Sequence, residues 1–331
     1  MIRAPFSLTE LDNLAQSFYD DLITELDTKN RITNRQEDIL SPLFDYLLIN
    51  FEEIIKGRPS TLEGHIPNIN TLSRTAKYLY SNSITPPYPP KEVKKWFNKN
   101  ILEIFDYDRS SRSFTKLRRG ELAYKHASRL GLTTCLYCNA QFTFTINKNI
   151  KTRPHFDHFL NKSSHPYFAL SFYNLIPACY VCNSNIKGSN TYSIATHLHP
   201  FIDCLEGLYN FKTHINSVDF LVNNTEFNII LEPCKNASVH DLTRANNSIR
   251  DFGIKERYFF HKDYVEDIIR KSHVYSESKV EELYTNYNSI FNSKEEVIEF
   301  VLGNYIHADM LHKRILSKLT KDIADELRII Y

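Results

Sequence analysis

Glycine is scarce, with 8 in 331 residues. Neither glycine-rich phosphate-binding fingerprint occurs, which argues against dinucleotide-binding and P-loop architectures. Long apolar runs are also missing, and none approaches the length needed to span a bilayer. The opening M-I-R-A-P-F-S has no apolar stretch of the kind a secretory signal needs. No membrane association is expected, and a reducing cytoplasm is the natural compartment. Internal repeats and low-complexity tracts are absent. What the chain does have is aromatic bulk, 20 Tyr and 22 Phe, in a composition that is 42% apolar and 24% charged. That is enough to bury the cores of two or three domains.

The formal net charge of +1 hides an asymmetry. Residues 1–60 carry 6 basic and 11 acidic side chains, net −5. Residues 91–162 carry 15 basic and 6 acidic, net +9. The second segment contains the run Lys116, Arg118, Arg119, Lys125 and Arg129. Such a field suits a polyphosphate partner. The bland alternative is a solvated helix face.

Six cysteines are present. Four form two Cys-x-x-Cys pairs, Cys135/Cys138 and Cys179/Cys182, separated by 40 residues. In a reducing compartment this pattern predicts a tetrahedral structural zinc that clamps the two ends of the intervening segment. Cys204 and Cys234 lack a paired spacing and read as ordinary core thiols.

The flanking chain reads as mainly helical. Ser7 and Glu10 form a capping box ahead of an amphipathic helix over 8–27. Further helices are expected at 34–55, 70–81, 91–106 and 120–131, with the P-P-Y-P-P of 86–90 as a break. Strict alternation in Q-F-T-F-T-I predicts a strand over 141–146, and 151–158 reads as a second extended piece limited by Pro154. A loop over 159–173, a short strand at 174–178 and a helix from Cys182 follow. Alternating stretches at 208–232, including V-D-F-L-V, suggest a small antiparallel sheet. Helical segments are expected at 239–252, 255–272, 277–290, 294–303 and 306–328.

Between the cysteine pairs lies R-P-H-F-D-H-F-L, residues 153–160. Asp157 is a hard oxygen ligand suited to a divalent cation. His158 can take a proton from water near neutral pH. Neighbours on a strand point to opposite faces, so the two can share a site only where the strand ends and bends. His155, two residues before Asp157, is a further ligand or a structural histidine. His197, His199 and the tyrosines of the later helices read as packing.

The string D-H-F-L-N-K…Y-N-L-I-P-A-C-Y-V-C-N-S-N-I-K-G resembles the HNH endonucleases, whose unit is the ββα-metal fold, many with two such zinc knuckles. The resemblance covers about residues 132–190. It implies His158 as the base that activates water and Asp157 as a ligand of a catalytic magnesium, with manganese as a substitute. It also implies Asn174 as the side chain that pins the loop and Asn183 as the second metal ligand. Asn at that last position is also found in the HNH domains of CRISPR effectors. Many members read Cys-Asn-x-x-Lys-Gly, whereas residues 182–188 are one residue longer, so Asn185 competes with Asn183. Arg153, Lys162 and Lys187, with Lys116, Arg118 and Arg119, become candidate phosphate contacts.

The expected fold is thus α+β: a mainly helical chain with a central zinc-stapled ββα-metal unit and a small antiparallel sheet after it. The parts are 1–85, 90–200 and 201–331. The expected activity is phosphodiester hydrolysis in DNA, with RNA open as an alternative. The style of the core is closest to HNH proteins of bacterial antiphage defence, such as the Septu type. That likeness implies an ATPase or sensor partner encoded in the same operon. The competing expectation is a catalytically silent zinc-knuckle module that binds nucleic acid or a partner protein.

Overall fold

The computed structural model describes residues 1–35, 38–215 and 227–329. Helix α1 (Leu8–Leu26) opens with the capping box: the Glu10 amide donates to Ser7 Oγ at 3.2 Å and the Ser7 amide to Glu10 Oε2 at 2.7 Å. Its stripe of Leu11, Ala15, Phe18, Leu22 and Leu26 is buried. A short α2 (Thr28–Thr33) follows. The single helix expected over 34–55 is instead broken into α3 (Ser41–Ile49) and α4 (Phe51–Lys56). The break is at Asn50, whose side chain donates back to the Tyr46 carbonyl at 2.8 Å and competes with the helix ladder. By contrast the weak helix at 70–81 is the end of a long one, α5 (Pro59–Ser81), which tolerates Pro67 inside it. Helix α6 (Pro90–Ile104) starts on Pro90, as a fixed φ at the first turn allows. Helix α7 (Glu121–Leu130) ends at Gly131 in the left-handed region.

The alternation at 141–146 gives less strand than expected. Only a bridge between Thr134 and Phe142 and the two-residue pairing of β1 (Ile146–Asn147) with β2 (Lys151–Thr152) form. The apolar residues here face out: Phe142 and Phe144 are exposed while Thr143 is buried. Then β3 (His155–His158) pairs antiparallel with β4 (Leu175–Ala178), in the register Asp157 opposite Ile176 and His158 opposite Leu175. The next helix, α8 (Val181–Lys187), is wound with π-type bonds. A hairpin of β5 (Tyr209–Ile215) and β6 (Phe227–Pro233) follows. The V-D-F-L-V stretch expected between them, residues 218–222, lies outside the described residues.

The C-terminal part is α9 (Val239–Asp251), α10 (Ile254–Tyr258), α11 (Lys262–Val274), α12 (Glu277–Asn286), α13 (Lys294–Leu302) and α14 (Ser317–Glu326). The expected helix at 306–328 is therefore shorter. The buried apolar residues form one cluster, from Met1 to Ile329, that runs across the proline-rich break. Phe18 of α1 packs on His126 of α7 and on Phe172 of the central loop, at 4.5 and 6.0 Å between ring centres. The architecture is α+β, mainly helical, with small antiparallel sheets. Among the described residues no helix is long and apolar enough to cross a membrane.

Candidate active site and metal centre

The four cysteines of the two pairs meet. Their sulfurs lie within 4.8 Å of one another, and all four residues are buried. Two backbone amides point at sulfur, Ala140 N to Cys138 Sγ at 3.5 Å and Cys182 N to Cys179 Sγ at 3.4 Å. Burial holds the Cys135 thiol well above its ordinary value, whereas hydrogen bonds from the neighbouring thiols, Cys135 first, hold Cys138 well below. Crowded thiols of this kind are a soft, four-coordinate donor set, and they fit zinc. Four thiolates around Zn²⁺ leave excess negative charge. Arg257 of α10 offsets it, with Nη1 3.1 Å from Cys182 Sγ. Cys204 and Cys234 are half-buried rather than core thiols.

The knuckles are also anchored from afar. Asn139 takes the left-handed conformation that ends the first turn, which asparagine tolerates better than most residues. Its Nδ2 donates to the carbonyls of Leu311 and Arg314 at 3.2 Å each. Its Oδ1 accepts from Ser317 Oγ and Lys318 N at 3.0 Å each. Tyr258 Oη donates to the Cys138 carbonyl at 2.7 Å. Asn139 and Arg257 escaped the sequence reading, and Tyr258, read there as packing, also holds the first knuckle. Only the Asn directly after the second cysteine carried a local signal.

The β3–β4 hairpin presents the Asp-His pair. Phe159 N closes the ladder onto the Asn174 carbonyl at 3.1 Å. Asn174 is 1% exposed, and its amide clamps the loop from inside. Its Oδ1 accepts from Leu160 N at 2.6 Å, and its Nδ2 donates to the carbonyls of Leu160 and Phe168 at 3.1 and 2.9 Å. Beside Phe168, the Ala169 carbonyl accepts from His158 Nε2 at 3.1 Å. A carbonyl can only accept, so Nε2 carries the proton and Nδ1 keeps its lone pair. Burial, then Lys162, push the His158 pKa down to about 3, so the ring is neutral at pH 7 but, in this closed form, a weaker base than the neutral-pH base expected from the sequence. Tyr107 stands edge-on to that ring, 4.6 Å between centres. The helical arms brace the loop: Ser171 Oγ donates to the Ile54 carbonyl of α4, and Tyr173 Oη to Asp12 of α1 at 2.8 Å.

Asp157 is placed differently from its neighbour. It is 2% exposed, and its two oxygens have different partners. Tyr137 Oη donates to Oδ2 at 2.7 Å, and Lys187 Nζ is 3.0 Å from Oδ1. Lys187, equally buried, also donates to the His158 carbonyl at 2.6 Å. Lys187 is thus an internal strut between α8 and β3 and not a free phosphate contact. A buried carboxylate with an ammonium already against it is a poor seat for a second cation. Asn183 is half-buried, its Nδ2 donating to Ser184 Oγ at 3.3 Å, and Asn185 is exposed. The magnesium expected on Asp157 and Asn183 therefore does not fit the side chains as they are folded.

Helix α8 closes with a wide turn. Gly188 N bonds to the Asn183 carbonyl at 3.1 Å, a five-residue return. A π-turn absorbs one inserted residue within a helix. Cys182 and Lys187, the two buried residues of α8, thereby face the same side.

The remaining candidates scatter. Arg118 pairs with Glu25 at 2.9 Å, while Lys125 and Arg129 both pair with Asp21 of α1, at 2.5 and 2.8 Å. Much of the basic run thus meets the acidic N-terminal segment instead of an external polyanion. Lys116 Nζ reaches the Arg109 carbonyl at 3.3 Å. Lys162 pairs with Asp108 at 2.8 Å. His155 is exposed against Tyr180. His197 bonds Asp251 at 3.0 Å and His199 the Tyr173 carbonyl at 2.8 Å, both buried. Arg119 and Arg153 line one cleft beside Tyr107. No family model matches this chain, and neither a curated protein nor a solved structure matches it.

Proposed function

We propose that the protein is a zinc-stapled nuclease of the HNH class that hydrolyses phosphodiester bonds in DNA. The observation that carries this is the relay Asn174–Phe168/Ala169–His158. It fixes one imidazole nitrogen on a backbone carbonyl and leaves Nδ1 free to take a proton. A water whose proton passes to Nδ1 attacks phosphorus, the P–O bond to the leaving oxygen breaks, and that oxygen takes a proton from solvent. A zinc on the four cysteines would join the 135–138 turn to the junction of β4 and α8 and would take no part in the step. No step is assigned to magnesium. On the same resemblance, the biological setting is antiphage defence beside an ATPase or sensor partner.

One observation favours the second reading, a zinc-knuckle binding module: Asp157 is closed by Lys187 and Tyr137. Supercoiled plasmid separates the two. The nuclease reading expects the zinc-loaded protein to convert it to nicked or linear DNA, assayed with EDTA, magnesium and manganese in parallel. Binding without any conversion in all three conditions supports the module.

A further inference from the structure

A cleft of about 520 Å³ opens beside the candidate site, between α7, the turn before it and strand β2. Arg119, Lys151, Arg153 and His155 line it, with Tyr107, Tyr124 and two threonines, and no carboxylate does. This contrasts with Arg118, Lys125 and Arg129 of the basic run, whose charges are matched by Glu25 and Asp21. Tyr107 is the shared wall: one side of it borders the cleft and its ring packs on His158. The turn that delivers Arg119 is strained. Arg118, Arg119 and Gly120 are all left-handed, with φ of 46°, 62° and 80°. A left-handed non-glycine residue costs on the order of 1–2 kcal/mol, and such strain gathers at functional positions.

We infer that this cleft seats the sugar–phosphate backbone of a DNA strand, leading it to His158. The cations and the lack of an acid select a polyanion. Backbone rather than base contact follows from the rings. Tyr124 already carries Lys151 and Arg153 over its face, at 5.6 and 5.8 Å, and Tyr107 carries Lys162 at 4.9 Å. No tyrosine of the cleft is free to stack on a base. The direction of the strand toward His158 rests on the nuclease reading; the seat itself does not.

The test uses full-length, zinc-loaded protein carrying His158→Ala, so that the probe is not consumed. The probe is a fluorescein-labelled DNA duplex, read by anisotropy over a salt series. Arg119→Gln/Lys151→Gln should flatten the slope of log affinity against log salt by about 2, one for each lost phosphate contact. Arg119→Glu/Lys151→Glu should bind more weakly still. Lys235→Glu, an exposed lysine outside the cleft, should leave the slope within error of the parent. An unchanged slope in both double variants, with zinc content intact, overturns the cleft. The two claims fail separately. If the variants lose binding while the native-His158 protein cuts nothing, the seat stands and the nuclease reading falls. If the native-His158 forms of both variants cut with unaltered KM, the seat falls and the nuclease reading stands.

Discussion

Asp157 and Lys187 form a nearly inaccessible ion pair, with side chains 3% and 1% exposed. Such a pair is weak evidence for net stability, but breaking it from one side strands a charge in a medium that solvates it poorly. Lys187→Met should therefore cost about 3–5 kcal/mol. Asp157→Asn/Lys187→Met should recover part of that loss, because Tyr137 can still donate to the amide oxygen. Urea denaturation of the two singles and the double gives the coupling. Additive losses would mean that the pair is not energetically joined and that Asp157 is free for another role. The same residues show what a linear reading can and cannot reach. Asp157 and His158 stand out as a ligand and a base by residue type, and Asn174 only through the resemblance to the HNH motif. The partner that closes Asp157 comes from 30 positions further along the chain, through a helix whose winding no local pattern announces.

At the level of elements, two knuckles and one hairpin make the central unit, and α8 joins them. The protein should hold about one zinc per chain. Cys179→Ser should yield unfolded or insoluble protein, since metal binding free energy is folding free energy here. The π-turn makes a sharper prediction. Deleting Asn185 alone should restore ordinary α winding, keep Cys182 and Lys187 on one face, and retain zinc. Elemental analysis checks it, and loss of zinc from the deletion variant would contradict the absorbed-insertion account. The knuckles, β3 and β4 were legible because metal spacing and short apolar strands are local signals. The strand expected over 141–146 failed because alternation does not say which face is buried. Here Phe142 and Phe144 are the outer set, and the ladder has little core to settle on. The break at Asn50 was hidden for a related reason: the apolar stripe continues through it while the backbone does not.

Across the whole molecule one apolar cluster ties the arms to the centre, and buried histidines make it acid-sensitive. His126 sits among Phe18, Phe114, Phe156 and Phe172 with neither ring nitrogen hydrogen-bonded. Burial, then Arg129 and Arg153, push its pKa down to about 3. The unfolded value is about 6.5. Above that, folded and unfolded forms are both neutral and the group has no effect. As pH falls from about 6.5 toward 3, only the unfolded chain gains the proton, and stability is lost at up to about 1.4 kcal/mol per pH unit. His199, lowered to about 4 by burial, acts in the same direction. His126→Phe should make the fall of the urea midpoint with decreasing pH shallower than in the parent; parallel curves would contradict this. The arms were legible as helices, but their service to the site was not. Contacts such as Ser171 to Ile54 and Asn139 to the 311–318 segment join residues more than a hundred positions apart. The central claim remains that His158, oriented by the Asn174-clamped loop, is the base of a nuclease. The most direct measurement is the single-turnover cleavage rate of labelled DNA by zinc-loaded parent and His158→Ala protein at matched zinc content and DNA affinity. A fall on the order of 10²–10⁴ is the result the account predicts. An undiminished rate in His158→Ala would contradict it.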